Sequence, residues 1–383
     1  MPISHRLFRS FDELTRWGAI QDLGHKPICR GIDVVEKAET PDIDHYYLVS
    51  EQHGKAQMLA YFQLLHAGPQ HFNLQGKRWQ QWALNMALRC VKPTLLVAGN
   101  LFRHDVVFIE FLNDHRSAEE HYALYQSAIE FLVKQTNASG IFIKDIPAEL
   151  GVQFRKNALY LSMPDDISME LHLPEEWKTF SDYEATLKHK YLQRCRKMRH
   201  GFEQVNVREL NETDVLKYSR EMEALYLQVT RRQMVSMGIL NHHFFEELKK
   251  SLGDDYRVCG YFLNGKLIAF SSAIVHNNCY DMNYIGFDYS LNHTFHLYFN
   301  ILFQCLENTM ALGCCTLILG RTALEAKAIM GCEPDYRYSF YRLRNPVVQR
   351  FYLMVSSYFH EQQGEHWKER HPFKSGYYLE KKK

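Results

Sequence analysis

The sequence has almost no net charge, because its 383 residues include 45 lysines and arginines and 44 aspartates and glutamates. A formal charge of +1 creates no overall field that would draw the protein to nucleic acid or anionic lipid, so any anion site must be local. The sequence also lacks a C-x-x-C pair, and its nine cysteines are odd in number. This pattern argues against a disulfide framework and a structural zinc site, and it is typical of the reducing cytoplasm.

Long apolar runs are missing as well. No stretch of about 18 uncharged apolar residues occurs, and the first residues contain no apolar core of a signal peptide. We therefore expect a cytoplasmic protein without a transmembrane segment. What the chain does contain is enough apolar material for a core, since 46% of its residues are hydrophobic and 14% are aromatic. Such a composition indicates a globular protein, and the length suffices for two domains.

The same pattern occurs twice along the chain. Alternating strands predict one hairpin over residues 46–66, with a turn at His53-Gly54. They predict another over residues 256–276, where Asn264-Gly265 supplies a strong turn signal. Each hairpin is followed further on by a Leu-Tyr pair, an amphipathic helix, a glycine and a buried strand. The spacing from tyrosine to glycine is the same in residues 125–140 and 298–313. We therefore predict a duplicated α/β fold with a mixed sheet in each copy.

Prolines mark the joint between the two copies. They bracket a predicted strand at residues 167–173 and place the boundary near residue 178. The sequence therefore predicts an N-terminal domain at residues 1–178 and a C-terminal domain at residues 179–345. A helical tail that packs on the body is predicted at residues 346–383.

A strongly basic helix is predicted at residues 188–200. An apolar stripe runs along one face, and Lys190, Arg194 and Lys197 line up beside it. One interpretation is a solvated helix face. The other is an anion clamp for a phosphate-bearing substrate or an RNA end, because ammonium and guanidinium groups pair well with phosphate oxygens.

The tyrosine-rich strand at residues 279–287 contains Tyr284 and Gly286. A glycine inside a strand suggests a bulge or a close backbone approach, and either would free main-chain N–H groups to bind a substrate carbonyl. Asp288 and Tyr289 follow at the carboxyl end of the strand and could act as base or acid. The alternative is a strand whose tyrosine hydroxyls lie at a wet edge.

A short helix is predicted within residues 320–331. Thr322 and Glu325 have the spacing of a capping box at its start, and Gly331 is predicted to end it in a left-handed conformation. Capping would occupy Glu325, so we do not expect it to act as a catalytic base.

Two cationic residues remain in this stretch. Lys327 rises from a small apolar surface made by Ala323 and Met330, and we expect it to point into a cleft. Arg321 stands at the carboxyl end of the preceding strand, where α/β sheets usually hold ligands.

Residues 183–191, 284–289 and 320–331 closely resemble bacterial GNAT-superfamily acyltransferases of the FemAB-like type. Residues 97–100 and 143–145 are similar to the amino-terminal half of the same proteins, so the likeness spans most of the chain. It implies tandem acyl-CoA N-acyltransferase folds in an enzyme of EC class 2.3. In the first half, Ile143-Lys-Asp replaces the corner that holds Arg321 in the second half. We therefore expect the N-terminal domain to be structural and the C-terminal domain to be catalytic.

The resemblance also bears on the site and on the donor. In the Fem aminoacyltransferases a lysine placed like Lys327 assists at the transition state, and the basic segment near residues 188–199 is similar to their substrate-facing region. The wider superfamily has a glycine-containing pyrophosphate loop, which would fall between Phe287 and Leu297 and is missing from this sequence. Backbone N–H groups cannot cradle a pyrophosphate there in the usual way. The resemblance implies acyl-CoA or aminoacyl-tRNA as the donor, and no metal. The missing loop argues against acetyl-CoA and favours an aminoacyl-tRNA or a carrier-protein thioester.

Residues and resemblance together predict transfer of an acyl or aminoacyl group to an amine acceptor. N–H groups near Gly286, in the same strand as Tyr284, would bind the substrate carbonyl. Asp288 or Tyr289 would handle the proton of the acceptor.

The cationic residues complete the predicted site. Lys327 or Arg321 would neutralise charge on the donor or the intermediate. Lys190, Arg194 and Lys197 would bind phosphate, either of tRNA or of a phosphate-bearing precursor.

Two alternatives remain open. One is a non-catalytic relative that binds a cell-envelope precursor or a partner protein, and the missing glycine loop favours it. The other is an RNA-binding protein that uses the basic helix. The donor, the acceptor and the oligomeric state are left open by the sequence.

Overall fold

The computed structural model describes residues 3–17, 31–73, 78–105, 108–112, 115–163, 166–233, 235–345, 349 and 368–375. Contacts divide the chain into two compact units, and each unit is assembled from three stretches of sequence. The first unit comprises residues 1–166, 232–247 and 337–360, and the second comprises residues 167–231, 248–336 and 361–383.

The strands follow in chain order as β1 (Ser4–Phe8), β2 (Ile43–Gln52), β3 (Lys55–His66), β4 (Thr94–Ala98), β5 (Ile109–Phe111), β6 (Gly140–Ile143), β7 (Leu161–Ser162), β8 (Ile167–His172), β9 (Asn206–Glu209), β10 (Tyr256–Leu263), β11 (Lys266–His276), β12 (Cys279–Phe287), β13 (Thr316–Gly320), β14 (Glu333–Tyr336) and β15 (Phe340–Leu343).

The α-helices are α1 (Phe11–Arg16), α2 (Val34–Lys37), α3 (Arg78–Val91), α4 (Ala118–Thr136), α5 (Ala148–Lys156), α6 (Phe180–Thr186), α7 (His189–Arg199), α8 (Glu212–Thr230), α9 (His242–Leu252), α10 (Tyr289–Phe295), α11 (Leu297–Ala311) and α12 (Leu324–Met330).

Each unit contains one mixed sheet. The first sheet has the order β1-β2-β3-β4-β6-β15-β7, with β5 paired to β3, and the second has the order β9-β10-β11-β12-β13-β8-β14. In this order the two sheets have the same pairings: antiparallel strands, then one parallel pair, then two more antiparallel strands. The parallel pairs are β4–β6 and β12–β13, which α4 and α11 connect. The predicted α/β fold with a duplicated mixed sheet is confirmed.

In each sheet, the strand beyond the parallel pair comes from a distant part of the sequence. Strand β15 lies in the first sheet between β6 and β7, although it follows β14 in the chain. Strand β8 lies in the second sheet between β13 and β14, although it follows β7 in the chain. The compact units are therefore not contiguous in sequence. The division at residue 178 stays a prediction, and the tail at residues 346–383 lies outside the described residues except for 349 and 368–375.

Local sequence explains the two hairpins. The turn between β2 and β3 has positive φ at His53 and Gly54, and the turn between β10 and β11 has it at Asn264 and Gly265. Two successive left-handed residues form the tight turn that matches the twist of paired strands, and glycine adopts this conformation without strain. The sequence predicted both hairpins from these dipeptides and the alternation around them, and both are confirmed.

Each unit has its own core, built from the sheet and the helix of its parallel crossover. In the first unit, α4 buries Leu124, Tyr125, Ala128, Ile129 and Leu132. In the second, α11 buries a longer apolar face that includes Leu297, Ile301, Leu302, Cys305 and Leu306. Burying each large apolar side chain stabilises the fold by about 1.5–3 kcal/mol. These packed crossovers hold the carboxyl ends of the parallel strands in place.

Candidate active site

Strands β12 and β13 pair at their amino-terminal ends. Their parallel register joins residues 279–281 to residues 316–318. From Met282 onward, β12 keeps its partner β11 on one side, but no strand among the described residues pairs with its other side. Residues 282–287 therefore have no strand neighbour on that side within the described part of the chain. A position of this kind at the carboxyl end of parallel strands is a common place for ligands.

A β-bulge lies in this part of β12. Ser271 faces Ile285 and Ala273 faces Met282, so two residues of β12 oppose Ser272. The N–H of Tyr284 donates to Ser272 Oγ, and Ser272 Oγ–H donates to the Tyr284 carbonyl, both at 3.1 Å. A bulge exposes backbone groups, yet the N–H of Tyr284 is already engaged by the serine.

Gly286 follows the bulge and has a different role from it. A Cβ added at Gly286 would lie 2.4 Å from the Tyr226 nitrogen and 2.6 Å from the Leu225 carbonyl carbon. Both atoms belong to the backbone of α8, so glycine is required for the helix to approach the strand. Of the two sequence interpretations, the close approach is the one observed at Gly286. Its part in binding a substrate carbonyl stays a prediction.

Asp288 caps the next helix. Its side chain accepts a hydrogen bond from the Ser290 N–H at 2.9 Å and another from the Ser290 hydroxyl at 2.6 Å. These bonds satisfy the start of α10, and they occupy the carboxylate that was predicted as a base. The Tyr289 ring packs 4.6 Å from the Phe287 ring, and its N–H donates to Gln228 at 3.3 Å. The catalytic roles of Asp288 and Tyr289 stay predictions.

A cavity of about 510 Å³ lies at the carboxyl end of β12, beside α10 and the starts of α11 and α12. Among the described residues, its lining consists of two phenylalanines, two tyrosines, two histidines, one asparagine and one alanine, without a carboxylate. These residues are Phe287, Tyr289, Tyr298, Phe299, Asn292, His293, His296 and Ala323. Only Tyr289 among them was a predicted site residue. The other lining residues could have been suspected from their position, because most of them follow directly after a strand that forms a parallel pair.

Helix α12 starts at the cavity wall. Its N-cap is Ala323, which has the left-handed φ of 52° and no side-chain cap. The predicted capping box of Thr322 and Glu325 is therefore wrong, and Glu325 instead pairs with Arg370. The predicted end of the helix is confirmed, because Gly331 has a φ of 99°. A non-glycine residue in the left-handed region costs about 1–3 kcal/mol, and such residues cluster at ligand sites.

Lys327 lies one turn after Ala323 and is buried, with 1% of its surface exposed. Burial lowers the pKa of Lys327 to about 7, and the nearby Cys332 acts in the opposite direction. No carboxylate in the described part of the chain forms an ion pair with its ammonium. A lysine with a pKa near neutrality exists in both protonation states at pH 7, which is the condition for efficient proton transfer.

Tyr298 was not predicted as a site residue. Its hydroxyl is buried and has no hydrogen-bond partner among the described residues. Burial raises the pKa of Tyr298, and Cys332 and Tyr289 raise it further. Cys332 therefore lies within electrostatic reach of both the Lys327 ammonium and the Tyr298 phenol. A buried polar group left without a partner costs about 1–3 kcal/mol and calls for a functional explanation.

The remaining predicted cations are less buried. Arg321 directly follows Gly320, the last residue of β13, and is half-buried. Helix α7 exposes Lys190, Arg194 and Lys197 as predicted, while Cys195 and Met198 are buried.

The structure places one of the α7 cations beside a residue that lines the cavity. The guanidinium carbon of Arg194 lies 5.7 Å from the centre of the Phe299 ring, and Phe299 lines the cavity. Lys190 and Lys197 lie about one turn away on either side of Arg194, on the same face of the helix.

The corresponding corner of the first unit carries a different set of groups. Lys144 follows β6 and is buried. It pairs with Asp145, and its Nζ lies 2.7 Å from Nδ1 of His104. The polar groups thus engage one another at this corner. The expectation that the N-terminal domain is structural stays a prediction.

Comparison with known protein families assigns one segment of this chain. Residues 189–328 match the acetyltransferase (GNAT) domain, and this segment contains α7, the bulged strand, the cavity and Lys327. This segment is therefore a GNAT domain. The predicted membership of the GNAT superfamily is confirmed.

Solved structures with a similar fold include FemX, which is 11% identical, with 81% of this chain and 89% of that chain covered at a TM-score of 0.46. A tandem GNAT protein from the clavulanic acid biosynthesis pathway is 11% identical, with 90% and 99% covered at a TM-score of 0.45. L-PGS from Bacillus licheniformis is 11% identical, with 91% and 96% covered at a TM-score of 0.47. No curated protein matches the sequence.

None of the helices among the described residues is both long enough and apolar enough to cross a bilayer.

Proposed function

We propose that this protein is an acyltransferase or aminoacyltransferase, of the FemAB-like type, that acts on an amine acceptor. The observation that carries the proposal is the buried Lys327, whose pKa is lowered to about 7. It stands one turn from a residue that lines an aromatic cavity, within a segment that matches the GNAT domain.

The proposed reaction is attack by the neutral acceptor amine on the donor carbonyl carbon. A C–N bond forms, and the electron pair of the carbonyl moves onto its oxygen. Collapse of this intermediate breaks the C–S bond of a thioester or the C–O bond of an aminoacyl ester. The amine loses one proton, and the leaving group gains one.

Lys327 is the residue we assign to the developing charge. Its ammonium would stabilise the oxyanion, and its lowered pKa would let it give a proton to the leaving group. Tyr289 is favoured over Asp288 for the acceptor's proton, because Tyr289 lines the cavity while the Asp288 carboxylate is held by Ser290. The Tyr298 hydroxyl would gain its missing hydrogen-bond partner from bound substrate.

The other predicted residues would bind the donor. Arg194, at the cavity rim, would bind a phosphate group, with Lys190 and Lys197 extending the same basic face. Arg321 would neutralise donor charge, and the edge of β12 near Tyr284 and Gly286 would meet the carbonyl.

The donor is proposed to be an acyl-CoA or an aminoacyl-tRNA, since both combine phosphate groups with an activated carbonyl. The cytoplasm is the proposed location. The cysteines of the described residues support it, because all of them are free thiols.

The test begins with the donor. Mass spectrometry of small molecules that copurify with the protein, and thermal shifts with acetyl-CoA, longer acyl-CoAs and aminoacyl-tRNA, would identify the donor class. With the active pair in hand, Lys327→Met should lower kcat by about 10²–10³. Lys266→Met removes an exposed turn lysine and should leave kcat unchanged. Unchanged turnover in Lys327→Met would refute the proposed role.

The alternatives give different results. A binding-only protein would show a thermal shift but no transfer to any amine. RNA binding is the second candidate, because α7 exposes three cations on one face. It predicts that affinity falls steeply with salt and that substitution of Lys190, Arg194 and Lys197 flattens this dependence.

A further inference from the structure

Helix α3, in the first unit, carries the most exposed aromatic surface of the described residues. Trp79 is 72% exposed and Trp82 is 68% exposed, and Met86 and Val91 are also exposed. Tryptophan is usually largely buried, and a contiguous apolar surface of this kind marks an interaction site. Two of the five tryptophans in the sequence lie on this single helix.

The exposed side chains form a stripe. Trp79, Trp82 and Met86 are spaced three and four residues apart, which places them on one face of a helix, and the exposed Cys90 continues that face by one turn. Leu88, on the opposite face, is buried. Helix α3 therefore has two apolar faces. One packs against the protein, and the other faces solvent.

The charge around the stripe has one sign. Arg78 and Arg89 fall at nearly the same angle around the helix and flank the tryptophans along one edge, and Lys92 follows the last turn. Eleven residues at about 1.5 Å each place the two arginine backbones about 16 Å apart. No Asp or Glu occurs from Gln52 to His104. The positive charge of the helix is thus not offset by acidic residues nearby in the sequence.

We propose that α3 docks the protein on an anionic phospholipid surface. Trp79, Trp82 and Met86 enter the interfacial layer of the bilayer, and Arg78 and Arg89 pair with lipid phosphates beside them. Aromatic side chains bordered by cations are the composition of helices that lie in the plane of a membrane. This surface belongs to the first unit and does not depend on the proposed transfer reaction.

A second copy of this chain is a poorer occupant. Two α3 stripes packed face to face would bring arginines of like charge together with no acidic residue on the helix to pair with them, and such contacts are repulsive. An anionic bilayer supplies the opposite charge and an apolar layer at once. The nearly neutral net charge of the chain limits this attraction to the helix itself.

The effect of each side chain can be stated as a fold-change. A basic residue near an anionic membrane surface contributes about 1 kcal/mol, which is about a fivefold change in partitioning. Arg78→Gln and Arg89→Gln should each lower partitioning about fivefold. Trp79→Ser combined with Trp82→Ser should lower it at least about tenfold, because two large apolar side chains lose their burial in the bilayer.

The experiment is flotation of the full chain with phosphatidylglycerol–phosphatidylcholine vesicles and with phosphatidylcholine vesicles. Binding is expected with the first lipid mixture, weakening as salt is added, together with a shift of tryptophan emission to shorter wavelength. Leu216→Ser and Arg220→Gln change exposed residues on α8 and serve as matched controls. They should float like the unmodified protein, and equal melting temperatures would show that every variant folds.

Two results would overturn the proposal. One is flotation that does not respond to anionic lipid or to the tryptophan substitutions. The other is a dimer in analytical ultracentrifugation that Trp79→Ser with Trp82→Ser dissociates, since the stripe would then be a protein interface.

Discussion

Replacing Lys327 by methionine should stabilise the protein, and the gain should depend on pH. Burial holds the pKa of Lys327 at about 7 against an ordinary value of 10.5. At about 1.4 kcal/mol per pH unit, that difference corresponds to about 5 kcal/mol of unfavourable free energy when the ammonium is charged in the folded state. Methionine has a similar shape and needs no charge or hydrogen bond there.

The direction of the pH dependence follows from proton binding. Between pH 7 and 10.5 the unfolded chain holds the Lys327 proton and the folded chain does not, so the wild-type free energy of unfolding rises with pH in this window. The advantage of Lys327→Met should therefore be largest below pH 7. It should shrink by about 2 kcal/mol between pH 7 and pH 9.

Urea unfolding of both proteins from pH 6 to pH 9, followed by circular dichroism, measures this difference. Lys266→Met, at the exposed start of β11, should differ from wild type in free energy of unfolding by an amount that does not change with pH. If the free energies of unfolding of Lys327→Met and wild type differed by a constant amount over this pH range, Lys327 would titrate as an ordinary exposed lysine. The argument for its chemistry would then fail.

Three further predictions concern packing. Gly286→Ala should lower the free energy of unfolding by several kcal/mol in urea, because its Cβ would meet the α8 backbone at 2.4 Å. Gly201→Ala serves as the control, because a Cβ there would have no atom within 4 Å. It should cost only about 1 kcal/mol for its left-handed φ. Similar destabilisation in both would contradict the close approach of α8. Tyr298→Phe should raise the free energy of unfolding by about 1 kcal/mol, because it removes a buried hydroxyl without a partner; a loss would point to a hydrogen bond at that hydroxyl. Phe373→Ala should lower the melting temperature and reduce the free energy of unfolding by about 3–5 kcal/mol, because Phe373 is fully buried. An unchanged melting temperature would mean that this side chain is not buried.

Much of the architecture could be predicted because it depends on local patterns. The hairpins follow from the His53-Gly54 and Asn264-Gly265 turns and the alternation around them. The exposure of Lys190, Arg194 and Lys197 follows from helical periodicity. These features are properties of neighbouring residues, and they do not need the rest of the fold.

The features that sequence reasoning missed depend on contacts far apart in the chain. The sequence allowed a close approach at Gly286 as one of two interpretations, but it missed the partner, which is the backbone of α8. The pairing of Glu325 with Arg370 replaces a capping box that local spacing had suggested. Tyr298 could be recognised as a site residue only when its buried hydroxyl and the cavity were seen. The positions of β8 and β15 are non-local in the same way, because no alternation pattern shows which sheet a strand will join.

The placement of β15 has a consequence for biosynthesis. The first sheet needs residues 340–343 between β6 and β7, so it cannot close until these residues have left the ribosome. Until then, β6 presents an uncovered edge on which nascent chains can associate. Slower translation between residues 144 and 339 should therefore lower the soluble yield more than slowing of equal length before residue 140, because only the first delay prolongs the exposure of β6.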